Sequence, residues 1–138
     1  MERFTVLDIS GDVGLTAFGG SLQEGFVNAA IGMYSLITGL DAVALTKTIE
    51  VSVENQSPDG LLVSWLNELI FHFDTYGFIG KKIDIKEFSE KRISARIAGE
   101  EFDPDRHEGK LLIKAATYHQ LRMEKKDEQW EIRVVFDI

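Results

Sequence analysis

The sequence predicts an α+β fold: two helices packed on one face of a mostly antiparallel (mixed) β-sheet, two layers deep, in a single domain spanning 1–138. Three observations predict it. The C-terminal stretch alternates apolar and polar residues at period two, as a half-buried strand does. Two other stretches instead repeat apolar residues at three- and four-residue steps behind complete start signals. Lastly, no repeat, low-complexity tract or linker divides the 138 residues, a length that suits one core.

Taken in order, residues 4–8 read as a first strand, 9–14 as a turn and 15–18 as a second strand. Glycines at 11, 14, 19 and 20 permit sharp reversals but match neither a dinucleotide fingerprint nor a P-loop. Ser21 and Glu24 form a capping box ahead of a stripe through Leu22, Phe26, Ala29, Ala30, Met33, Leu36 and Ile37. Gly39 is positioned to close that helix. Residues 46–54 alternate as a strand. Ser57, Pro58 and Asp59 then open a second helix as cap, first-turn proline and dipole partner. Its stripe of Leu62, Trp65, Leu66, Leu69, Ile70 and Phe73 makes it the expected centre of the core, and Gly77 ends it. Strands follow over 78–88 and 92–98, an acid-, Pro- and Gly-rich loop over 99–109, a long strand over 111–124, a turn over 125–128 and the terminal strand. In that last strand Trp130, Ile132, Val134, Phe136 and Ile138 share one face, while Glu131, Arg133, Val135 and Asp137 share the other. An apolar face that runs to the final residue predicts a docked chain end.

Composition narrows the function. Fifteen basic against twenty-three acidic residues give a net charge of −8, which disfavours tight direct binding to nucleic acid. A basic protein partner or a divalent cation fits that charge better. With no cysteine, disulfides, thiolate metal sites and cysteine catalysis are excluded. No basic leader or bilayer-length apolar run appears, so no membrane association and a cytoplasmic location are expected. The residues around Asp103 and Asp105 fail the EF-hand pattern, because Glu108 occupies the position that needs glycine. His72, His107 and His119 lack a nucleophile elbow or a zinc spacing, so no enzymatic mechanism is expected. His72 reads as a surface or boundary residue and His119 as a satisfied structural one. Asp12, in a glycine-flanked turn, and Asp137, beside the terminal carboxylate of Ile138, have the oxygen chemistry a hard cation takes; nothing local in the sequence joins them.

Several blocks together resemble the archease family. They are Asp8-Ile9-Ser10-Gly11-Asp12-Val13-Gly14, residues 21–30, 61–69 and 73–78, Gly99 through His107, Lys114 through Leu121, and the terminal Val135-Phe136-Asp137-Ile138. One block departs from the family, where Ile9, Ser10 and Gly11 replace the usual His-Thr-Ala. The resemblance implies a cytoplasmic, non-catalytic accessory protein of tRNA splicing. Such a protein activates the GTP-dependent RNA ligase of the RtcB type, promoting guanylylation of the ligase and multiple turnover. An alternative implied role is that of a chaperone-like modulator of a tRNA cytosine methyltransferase. The resemblance also implies a divalent cation held by Asp12, Asp137 and Ile138, commonly calcium, with magnesium or manganese as alternatives. Arg106 and Lys114 are secondary candidates for contact with a partner's phosphate or carboxylate.

Overall fold

The computed structural model describes residues 2–138. In chain order the elements are β1 (Phe4–Ile9), β2 (Asp12–Gly19), α1 (Leu22–Ile37), a short 3-10 turn (Leu40–Ala42), β3 (Lys47–Glu54), α2 (Pro58–Tyr76), β4 (Phe78–Phe88), β5 (Arg92–Glu101), β6 (Ala115–Lys126) and β7 (Gln129–Asp137). The α+β class and the two helices stand, and every strand pairing is antiparallel. The strands divide between two sheets: sheet A in the order β1-β2-β7-β6, and sheet B in the order β3-β5-β4. Each helix touches both, α1 against β2, β7 and β4, and α2 against β6, β3, β4 and β5. The helices are therefore shared between the sheets. Local alternation shows that a strand has a buried face but not which sheet it joins.

Both helices begin as their caps dictate. Ser21 Oγ accepts from the Glu24 amide at 3.1 Å, and Ser57 Oγ accepts from the Gly60 amide at the same distance. Gly77 closes α2 in the left-handed region, at φ 70°. Gly39 does not close α1: Thr38 ends it in an extended conformation, and Gly39 has an ordinary φ of −73°. Trp65, Leu62, Leu66 and Leu69 of α2 are fully buried, each side chain removed from water contributing roughly 1.5–3 kcal/mol. The Trp65 indole N–H donates to the Phe26 carbonyl at 3.1 Å, tying α2 to α1. The core is as much α1's as α2's, since Phe26, Ala29, Ala30, Met33 and Tyr34 are equally inaccessible. α1 lies so close to sheet A that a Cβ at Gly25 would come within 2.6 Å of Ile132 Cδ1, and one at Gly32 within 2.9 Å of Leu15 Cδ2.

The C-terminal half departs from expectation in three places. The first three residues of the expected loop, 99–101, complete β5, and the irregular segment runs instead over 102–114. β6 consequently starts at Ala115 rather than at 111. It is also interrupted: Thr117 faces Val135, and the next paired residue, Arg122, faces Arg133. The extra residues bulge out, with Gln120 at φ 54°, and leave His119 exposed beside Gln120, not in a structural role. β7 ends at Asp137, and Ile138 is 40% exposed, so the apolar face stops at Phe136.

Candidate functional site

The register of sheet A leaves the two aspartates at the same end of the β2–β7 ladder. β2 and β7 pair Val13 with Phe136, Leu15 with Val134 and Ala17 with Ile132, all on the face toward the helices. One step beyond Val13 and Phe136, Asp12 opens β2 and Asp137 ends β7, on the outer face. On the other side Asp12 pairs with Ile9 of β1 across the two-residue turn Ser10-Gly11. Gly11 has φ +80°, a conformation an L side chain adopts only under strain. Gly11 thus closes the hairpin that presents Asp12.

At the same corner the Lys114 amide donates to the Asp137 carbonyl at 2.8 Å, and Ala115 pairs with Asp137. Lys114 therefore sits beside the chain end, its side chain exposed. Asp12 is half-buried, and Asp137 and Ile138 are exposed. Among the described residues neither aspartate has an ion pair. No three His, Cys, Asp or Glu side chains of the described residues cluster as metal ligands. This corner offers two such side chains, Asp12 and Asp137, with Ile138 next to the second. An all-oxygen donor set, accessible and without internal counter-ions, fits a hard cation whose remaining positions are filled by water or carbonyls.

Behind this corner, α2 secures the edge of sheet A. Asn67 accepts from the Ala116 amide at 2.8 Å and donates to the Ala116 carbonyl at 3.3 Å, standing in for a further strand. Ala116 pairs with Phe136, so this clamp backs the strand that carries Asp137. Nothing in the sequence distinguishes Asn67 from any other polar residue on a helix.

Arg106 lies elsewhere, in the 102–114 segment, ion-paired with Glu100 and, at 3.5 Å, with Asp103. Its partner Glu100 is buried and also accepts from the Ala44 amide. That amide, foremost, holds the Glu100 carboxyl below the usual carboxylate range; desolvation opposes the effect, while His107 and Arg106 add to it. His107 is buried as well. Its Nδ1 accepts from the Asp103 amide at 2.8 Å, leaving Nε2–H to donate to Glu100 Oε2 at 3.0 Å. With both ring nitrogens engaged, His107 acts as a strut for the loop. His72 is half-buried on α2 with Glu68 at 3.3 Å, the boundary position expected for it.

The sequence profile of the Archease protein family (MTH1598/TM1083) matches residues 4–138. The chain belongs to the archease family. Among curated relatives, the protein archease of Pyrococcus abyssi is 34% identical over 142 residues, with 100% of both chains covered. That of Methanosarcina acetivorans is 33% identical over 141 residues, covering 99% of this chain and 97% of the relative. The solution structure of Methanobacterium thermoautotrophicum protein 1598 superposes with a TM-score of 0.79 at 31% identity, covering 100% of both chains. A crystal structure of a Thermotoga maritima archease, described as a possible chaperone, has a TM-score of 0.67 at 22% identity, over 96% of this chain and 94% of that one. At that identity the likeness supports the fold alone. Among the described residues no helix of this archease-family chain is long and apolar enough to cross a membrane.

Proposed function

We propose that this archease-family protein is a non-catalytic, divalent-metal-dependent activator of the GTP-dependent tRNA-splicing RNA ligase, acting in the cytoplasm to promote ligase guanylylation and repeated turnover. The observation that carries the reading is the β2–β7 register, whose last pair, Val13 with Phe136, leaves Asp12 and Asp137 as the next residues on the two strands. Asp12, Asp137 and the Ile138 carboxylate would hold the cation, calcium on the family resemblance, with magnesium and manganese also taking such hard oxygen donors. When bound, such an ion would offset two of the three negative charges and offer exchangeable positions to a partner's oxygen atoms. The chain's own part is presentation. The Ser10-Gly11 turn would project Asp12, the β2–β7 ladder, ending one residue short of both, would hold Asp137 at the same end, and Asn67 keeps β6 in place behind β7. Lys114, exposed beside Asp137, supplies a cation for a phosphate or carboxylate of the ligase.

Ligase guanylylation measured with calcium and stoichiometric protein tests the reading. Asp12→Ala and Asp137→Ala are expected to abolish stimulation while keeping the thermal transition of the metal-free protein. One residue added after Ile138 is expected to weaken calcium binding. Full stimulation by both alanine variants removes the metal site from the function, and no stimulation by the unaltered protein removes the ligase. A second reading, a chaperone-like modulator of a tRNA methyltransferase, is favoured by the exposed Phe71, Tyr76, Leu112 and Tyr118. Methyltransferase activity measured with and without the protein separates the two.

A further inference from the structure

On the outer face of sheet A, three strands contribute a row of polar residues: Thr16 of β2 pairs with Arg133 of β7, which pairs with Arg122 of β6. In the adjoining row Glu124 faces Glu131. The ladder therefore sets arginine against arginine and glutamate against glutamate, although exchanging the residues at 131 and 133 would give two opposed ion pairs. Like charges directly opposite destabilise a sheet, and opposite charges contribute roughly 0.2–1 kcal/mol per pair. Glu124 is drawn to its own strand, with Arg122 at 3.6 Å and Lys126 at 3.3 Å. Arg133 has no ion pair among the described residues, and its Nε–H, shielded from water, has no hydrogen-bond partner. A shielded donor on a charged group left without an acceptor is costly. The residues of the two rows, with Lys126, line a recess of about 70 Å³.

We propose that this recess is a binding site for a phosphate group, with Arg133 as its principal ligand. A small rotation of the Arg133 side chain on binding would bring its Nε–H to a phosphate oxygen, and the phosphate charge would relieve the Arg122–Arg133 opposition. The planar guanidinium fork suits phosphate better than a spherical anion. Thr16 adds a hydroxyl donor, and the three cations outnumber the two glutamates. Arg133 is four residues from Asp137 on the same face of β7, about 13 Å at the usual strand rise, so this site is separate from the cation corner. Its ligand is either free phosphate or the phosphate tail of a nucleotide.

The test follows the arginine Nε–H resonances of the ¹⁵N-labelled protein in EDTA, titrated at constant ionic strength with inorganic phosphate, ATP, acetate or chloride. The expected result is a saturable shift of the Arg133 resonance with phosphate or ATP, the tighter of the two identifying the source. R133Q is expected to weaken binding about tenfold or more, as loss of a charge-assisted hydrogen bond implies. R122Q, at an exposed position, gives a second and smaller loss should R133Q fail to fold. A response to acetate or chloride equal to that to phosphate overturns the proposal, as does unchanged phosphate affinity in R133Q or, if that variant does not fold, in R122Q. Because no ligase is present, the outcome is independent of the activator reading.

Discussion

Replacing Asn67 by alanine is expected to loosen the edge of sheet A behind the terminal strand. The substitution deletes both hydrogen bonds to Ala116, at 2.8 and 3.3 Å, and leaves a buried backbone amide and carbonyl unpaired. At a net of about 0.5–1.5 kcal/mol per bond, the loss is about 1–3 kcal/mol. For a domain of this size that lowers the melting temperature by roughly 3–10 °C. Should the opening be local, the Ala116 amide would instead exchange with solvent roughly 5- to 150-fold faster, with the global transition retained. Urea denaturation read by tryptophan fluorescence, together with residue-resolved hydrogen exchange, distinguishes the two outcomes. A stability change below about 0.3 kcal/mol with unaltered Ala116 protection would refute the clamp.

Other perturbations follow from equally specific contacts. Gly99→Ala would place a Cβ 1.8 Å from the Ile79 carbonyl oxygen, a main-chain clash that side-chain adjustment cannot relieve. The expected cost reaches or exceeds the upper end of the ~1–3 kcal/mol usual for overpacking, and an unaltered denaturation midpoint would contradict it. Glu100 titrates below its ordinary range in the folded protein, so the stability it confers is fully present above the unfolded-state pKa and is lost as pH falls through the lower, folded-state value. Glu100→Gln should flatten the dependence of stability on pH from about pH 5 downward, and parallel profiles for the two proteins would count against the network. In the presence of EDTA, Asp12→Ala should melt as the unaltered protein does, while losing the upward shift that calcium gives; a retained shift would place the ion elsewhere.

Elements whose signals are local were legible in the sequence. Ser21, Ser57 and Gly77 sit where the caps require, because capping depends on three or four adjacent residues. The alternation of 130–136 identified the buried face of β7, with Ile132, Val134 and Phe136 fully inside. What escaped was set by partners distant in sequence. The division into two sheets depends on which strands meet. The bulge after Thr117 is apparent only against the β7 register. Gly39 was a reasonable helix stop, yet the chain leaves α1 at Thr38 in an extended conformation that needs no glycine. The candidate site was legible in its residue types alone: oxygen donors in a turn and at a terminus suggested a cation, whereas the placing of Asp12 and Asp137 at one end of the ladder required either the fold or the family resemblance. The pairing of Arg106 with a glutamate six residues earlier escaped likewise, since it depends on how the loop folds back.

The two glycines of α1 have a consequence for evolution. Gly25 and Gly32 are seven residues apart, close to two helical turns; an added methyl group would crowd Ile132 of β7 at the first, and Leu15 of β2 and Phe4 of β1 at the second. The helix is thereby notched against β7 and β2 at two points. Insertion of a single residue between the notches would rotate the second by about 100° out of alignment, so the length of this interval should be invariant wherever the same seating is used, even as the loops on either side drift.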